Sequence, residues 1–310
     1  MRRGLVLFAA LALPALLAAC GGDDAPASPR IVYEASAGDI TNIYTVDPHS
    51  GATAQLTHGA RFDGSPAWSP DRRRIIFSSD RDGQAQTDLY VMRADGSDAH
   101  RITDTPNAGE YSAKFSHDGR RIAYTRQSED GWTLWVMQAD GSSPQRVAGP
   151  YEFVEFPAWT HDDGALYYSA IEQPADPSQV PDRAHIFSVD LASGDVRARI
   201  RTAGPDVCPH FSRDGARLTY AAPRPGADDA NLEIWAHEVT SEDPTGASDT
   251  ALTDDPARDD YGNPSPDDRT MVFVSDRDGP GGDLYLMDRD GANVRRLTDT
   301  PDLRENVPDW

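Results

Sequence analysis

The segment "PAWSPDRRRIIFSS" at residues 66–79 returns as "SAKFSHDGRRIAYTR" at 112–126, "PAWTHDDGALYYSA" at 157–170, "CPHFSRDGARLTYAA" at 208–222 and "GNPSPDDRTMVFVS" at 262–275. Recurrence constrains a fold more than any single motif, because each copy is one supersecondary unit that must stack on its neighbours to bury its apolar face. Each copy is an aromatic or proline, a short polar turn and an apolar run. A further strand follows and aligns too: "NIYTVD", "DLYVMRADG", "TLWVMQADG", "HIFSVDLASG", "EIWAHEV" and "DLYLMDRDG". Short segments such as "AQLTHG", "HRITDT", "TALTDD" and "RRLTDT" complete the unit. Alternating apolar residues, aromatic and β-branched enrichment and Asp-Gly turns make these strands, and no stretch after residue 20 has helical periodicity. Six units of four strands fill residues 31–310 at about 47 residues each, a spacing close to that of propeller blades. The aromatics of the second strands fall at Tyr33, Phe77, Tyr124, Tyr168, Tyr220 and Phe273.

The pattern Trp-Ser-Pro-Asp, a strand, Ser-Asp-Arg-Asp-Gly, Asp-Leu-Tyr-x-Met and Arg-Leu-Thr resembles the PD40 repeat of the TolB-like β-propeller family, over essentially the whole of residues 31–310. The resemblance implies an all-β, six-bladed propeller of four-stranded antiparallel blades. It also implies a scaffold role with protein partners in the cell envelope. The small α/β domain that precedes the propeller in that family has no counterpart among these residues. Arg72 and Asp268 stand where the turn carries glycine, and Pro264 replaces the aromatic, which predicts an irregular first strand in its unit.

Both ends of the sequence carry information. Arg2-Arg3 followed by "GLVLFAALALPALLAAC" has the charged, apolar and small-residue regions of a signal peptide, predicted over residues 1–19. Its ending, Leu17-Ala18-Ala19-Cys20, resembles a bacterial lipobox, which implies lipid attachment at Cys20 and a flexible tether over residues 20–30. Gly21 after the cysteine favours the periplasmic face of the outer membrane. Cys208 is then left without a disulfide partner and reads as a small buried residue. The chain ends "ENVPDW", a first-strand signature, while residues 30–36, "RIVYEAS", match a second strand. The last blade is therefore predicted to be shared, with Trp310 and Arg30 close together and no free sheet edge at the seam.

A dense aspartate run such as "SPDRRRIIFSSDRDG" could pass for a metal loop, but its recurrence favours turn punctuation: proline presets one turn position and aspartate bonds the local backbone. The ligand pattern of a helix-loop-helix calcium site is absent. Trp68, Trp135, Trp159, Trp235 and Trp310 likewise read as packing between blades.

The formal net charge of -22 opposes binding to nucleic acid or to an anionic membrane surface except through the anchor. Acidity also recurs in register. Three residues before the Pro66 position stand Asp63, Glu110, Val154, Asp206, Asp259 and Glu305, five carboxylates among six equivalent sites. Placed around a channel mouth about 8 Å apart they would repel by roughly 2 kcal/mol per pair, and so attract a cation, Ca²⁺ included, or a basic peptide. The face opposite the first-to-second-strand turns, turned away from the tether, is the one expected to carry function.

Two classes of function fit. One is a monomeric, non-catalytic envelope scaffold that binds a protein or ligand. The other is a metal-dependent propeller hydrolase, lactonase or lyase acting at the channel. The motifs of serine and zinc hydrolases and of phosphate loops are absent. His117 and His161 occupy the proline position of the turn, and His210, beside Cys208 and Asp206, is the histidine placed near the channel. Three carboxylates grouped about His210 would favour the enzyme.

Overall fold

The computed structural model describes residues 30–83, 86–173, 183–239 and 249–310. The signal segment, Cys20, the tether residues before Arg30 and residues 84–85, 174–182 and 240–248 lie outside them. The described residues form six four-stranded antiparallel sheets, the blades of a propeller, with no helix among them. In five sheets the strands pair in chain order. The remaining sheet joins Arg304–Asp309 to Ile31–Ala37, Ile40–Val46 and Thr53–Gln55. We number this shared sheet blade 1 and the others 2 to 6 along the chain. Val32 pairs with Asp309, and Trp310 packs on the cluster that contains Ile31 and Tyr33, so the ring closes as its two ends foretell.

Hydrophobic burial holds the blades together. The six second-strand aromatics, Tyr33, Phe77, Tyr124, Tyr168, Tyr220 and Phe273, are the largest fully buried side chains. Each faces an aromatic on the third strand of its blade; Phe77 and Tyr90, for example, lie with ring centroids 5.7 Å apart. Burial of such a ring stabilises by roughly 1.5–3 kcal/mol, and repetition places one pair in every blade.

Two small motifs set the spacing between blades. The leucine or isoleucine of three "LT" or "IT" segments presents its carbonyl to the Asp-Gly turn of the next blade. A Cβ on Gly96, Gly141 or Gly291 would lie only 2.8, 2.5 or 2.3 Å from the carbonyl oxygens of Leu56, Ile102 and Leu252. These glycines also have φ of 85–87°, so both space and backbone demand glycine. The threonine that follows accepts a third-strand amide, as in Leu89 N to Thr103 Oγ1 at 2.8 Å and Ile234 N to Thr253 Oγ1 at 2.9 Å.

The recurrent Ser-x-Asp turns are self-contained. The hydroxyls of Ser69, Ser116, Thr160, Ser212 and Ser265 donate to Asp71, Asp118, Asp162, Asp214 and Asp267 at 2.6–2.8 Å. These aspartates are spent on the turn, as their recurrence suggests. Where glycine is missing, the replacement side chain reaches the preceding blade. Arg72 (φ 57°) donates to the carbonyl of Arg30, and Asp268 (φ 56°) accepts the Arg213 amide at 3.0 Å. Asp163 (φ 56°), a third such substitution, accepts the amides of His117 and Asp118 at 2.9 and 3.0 Å.

Pro264 does not make its strand irregular. Asp259–Pro264 pairs with Thr270–Ser275 with the same register shift that the other innermost strands show. The proline is the last residue of a strand at the edge of its sheet, where a missing N–H leaves no ladder bond unmade.

Candidate functional site

Every innermost strand carries a β-bulge at one equivalent position, occupied by Ser65, Ser112, Phe156, Cys208, Tyr261 and Val307 in left-handed conformation with φ of 47–56°. A bulge places two residues opposite one and re-aims the side chains that follow. Two positions beyond it stand Lys114, Ala158, His210, Asn263 and Asp309, all lining a cavity of about 450 Å³ on the axis. The next residue of each strand, Trp68, Phe115, Trp159, Phe211, Pro264 or Trp310, supplies the apolar wall, so all six blades contribute. The cavity opens on the face of the first-to-second-strand turns, with His117, His161, Arg72 and Arg213 at its rim.

Its floor is a compact polar cluster. Asp309 pairs with the Lys114 ammonium, accepts the Trp68 amide at 2.7 Å and receives Asn263 Nδ2 at 3.3 Å. Burial alone would raise the Asp309 carboxyl, but the Lys114 charge and these donors outweigh it and hold it below the usual carboxylate value. His210 bonds through Nδ1 to the Cys208 carbonyl at 3.1 Å. Burial, helped by Lys114, pushes its pKa down to about 4, so the imidazole is neutral near pH 7 with Nε2 as an acceptor.

Deeper in the channel, Phe156 of blade 4 and Tyr261 of blade 6 meet edge to face across the axis, with centroids 5.5 Å apart. Around this constriction burial and the Glu34 charge push Glu155 up to about 7, and burial raises Asp260 to about 7 against the pull of Arg258. Cys208 is 2% exposed and burial raises its thiol, which suits the packed residue expected and not a nucleophile.

The five carboxylates expected at a channel mouth are placed otherwise. Asp63, Glu110, Asp206, Asp259 and Glu305 are each 0% exposed. Asp63 accepts Ser79 Oγ at 2.5 Å and Arg81 at 3.0 Å; Glu110 accepts Arg126 Nε at 3.1 Å and Thr103 Oγ1 at 3.0 Å. Asp206 accepts His185 Nδ1 and Thr202 Oγ1, both at 2.8 Å, and Asp259 takes Arg277 at 2.8 Å. Glu305 accepts the Leu284 amide at 3.1 Å and the hydroxyls of Thr298 and Thr300. These side chains reach the third strand of the preceding blade and the threonines that follow its fourth, or the second strand of their own blade and the residues just after it. They act as latches, not as an open collar. A buried carboxylate needs such partners, because desolvation otherwise disfavours its charge.

The structure thus moves the concave site to the face opposite the one expected from acidity. It also leaves His210 with one neighbouring carboxylate, Asp309, in place of the three an enzyme would favour. No group of three or more His, Cys, Asp or Glu among the described residues is arranged to hold a metal. The funnel was foreshadowed in the sequence only by Lys114, His210 and Asp309 at equivalent repeat positions.

Residues 24–175 match the family described as "PD40: TolB beta propeller domain". The repeat that builds the blades is thus similar to that of the TolB-like propellers over nearly half of the chain. Among solved structures the propeller resembles TolB from Acinetobacter baumannii, with TM-score 0.72 and 19% identity over 91% of this chain and 66% of that one. It also resembles a putative TolB from Agrobacterium tumefaciens, with TM-score 0.67 and 21% identity over 89% and 96% of the two chains. Curated relatives include the uncharacterized peptidase YuxL of Bacillus subtilis, 28% identical over 193 residues, which are 62% of this chain and 26% of that protein. The uncharacterized protein Atu1656 of Agrobacterium fabrum is 36% identical over 91 residues, 29% of this chain and 30% of that protein. The propeller spans less than a third of either relative.

Proposed function

We propose that the propeller is a non-catalytic binding scaffold of the bacterial cell envelope, lipid-anchored through Cys20, that takes part of a protein or peptide partner into the axial funnel. One observation carries the reading: six blades converge on a single concave site of about 450 Å³ with aromatic walls and a polar floor of Lys114, His210, Asn263 and Asp309. An apolar cavity with a few convergent polar groups is the form that ligand sites take. The floor also argues for binding over hydrolysis, since the one carboxylate beside His210, Asp309, is engaged by Lys114, and the His210 Nδ1 is held by the Cys208 carbonyl. Arg30, the first described residue and the end of the tether, lies beside Trp68 at the funnel rim, with Trp68 Nε1 donating to its carbonyl at 3.1 Å. The partner would therefore be met on the tethered side.

Site-directed photocrosslinking in living cells tests this. A photoreactive residue replacing Arg213 or Pro266 at the rim should label one discrete envelope component, whereas one replacing Val196 on an outermost strand, 44% exposed, should not. Equal labelling at all three positions, or none at the rim, would remove the funnel as the binding site.

A further inference from the structure

The two histidines that interrupt the Ser-Pro-Asp pattern lie in adjacent blades, and the fold brings them together. His117 and His161, at the turns of blades 3 and 4, have ring centroids 6.1 Å apart and planes at 54°. Both are exposed at the funnel rim. Each has one nitrogen already committed. His117 Nδ1 lies 2.9 Å from Asp163 Oδ1, and His161 Nδ1 lies 2.7 Å from the Arg213 carbonyl oxygen. A carbonyl and a carboxylate only accept, so both Nδ1 atoms carry hydrogen, and in the neutral imidazole Nε2 is the nitrogen with the lone pair. A carboxylate or carbonyl behind Nδ1 is the arrangement that orients an imidazole for a metal and raises its basicity.

Distance supports a shared ion. With a metal–nitrogen bond of about 2.0–2.1 Å, a ring centroid sits roughly 3.2 Å from the metal, so two rings on one ion lie about 5.2 Å apart at a tetrahedral angle and up to about 6.4 Å when they oppose each other. The observed separation falls within that window.

We propose that His117 and His161 form a two-histidine site for a borderline transition-metal ion such as Zn²⁺, Ni²⁺ or Cu²⁺, bound through both Nε2 atoms and tying the turns of blades 3 and 4 together at the funnel rim. Imidazole suits these ions and not Ca²⁺, which takes oxygen ligands. Two protein ligands leave the remaining positions to water, so the site is open and its affinity lies below that of a closed structural site. This inference is independent of what enters the funnel.

The test uses the whole untagged protein, stripped with chelator and titrated with Zn²⁺ and, separately, Ni²⁺ by calorimetry. One equivalent should bind and be removed by EDTA. H117Q and H161Q should each weaken that binding at least about tenfold, while H100Q, which alters a lone exposed histidine, should leave it unchanged. Metal should also raise the melting temperature of the wild type but not of H117Q/H161Q, a readout that reports the bridge between blades directly. Absence of binding to the folded wild type, or equal binding by wild type and H117Q/H161Q, would overturn the proposal.

Discussion

Asp163 of blade 4 accepts the His117 backbone amide of blade 3 at 2.9 Å, from a residue whose φ of 56° would suit glycine. The repeat's turn here trades backbone ease for a staple to its neighbour. Removing the carboxylate in Asp163→Ala keeps the left-handed backbone cost and frees two amides, so stability should fall by about 1–2 kcal/mol. Asp163→Gly relieves the backbone and should lose less. Urea midpoints order the set: an alanine variant as stable as the wild type would contradict the staple, and a glycine variant less stable than the alanine one would contradict the backbone cost.

Gly291→Ala should be more damaging than either. Its new Cβ would stand 2.3 Å from the Leu252 carbonyl oxygen at a φ of 87°, combining a collision with main chain and a forbidden conformation. A loss of about 2–4 kcal/mol is expected. Gly38→Ala supplies the comparison, because that glycine also has positive φ, 59°, but meets nothing within 4 Å. Equal losses in thermal or urea unfolding would mean that interblade contact contributes nothing.

The latch carboxylates make a second kind of prediction. Arg126 is the charged partner of the fully buried Glu110. Arg126→Ala leaves that carboxylate uncompensated and should cost about 3 kcal/mol. Adding Glu110→Gln should restore part of the loss, since the neutral amide needs no counter-charge. A double variant no more stable than the single would show that packing of the arginine stem, and not charge, dominates.

The channel constriction predicts pH dependence. Glu155 titrates at about 7 in the folded protein and near 4.3 when unfolded, about the ordinary glutamate value. The folded state therefore binds the extra proton, and its stabilising contribution is complete below the unfolded value and is lost as pH rises through about 7. Glu155→Gln should leave stability at pH 4 nearly unchanged and raise it at pH 8 by about 1–3 kcal/mol. Urea unfolding at the two pH values checks this; a variant that tracks the wild type at both would exclude Glu155 as the titrating group.

Cys208 should resist thiol reagents in the native state. Its side chain is buried and its thiol is raised by burial and by the charges of Asp260 and Glu155. In a Cys20→Ala variant, Ellman's reagent should react only on unfolding. Prompt native labelling would place the thiol in contact with solvent.

The blade, the number of blades and the seam were all legible in the amino-acid order. Those follow from short-range chemistry that repeats: Tyr33 and its equivalents demand a buried second strand, Ser69-x-Asp71 closes a turn with its own atoms, and Trp310 completes a signature that residues 30–36 begin. Where side chains at equivalent positions point was set by the folded ring. The bulges at Ser65 and its counterparts shift register within each innermost strand, turning Asp63, Glu110, Asp206, Asp259 and Glu305 into the interblade core and Lys114, His210 and Asp309 toward the axis. A bulge on a non-glycine residue leaves no mark in the local pattern. Closure of the ring likewise sets Lys114 against Asp309, and Phe156 against Tyr261, across distances that no repeat period encodes.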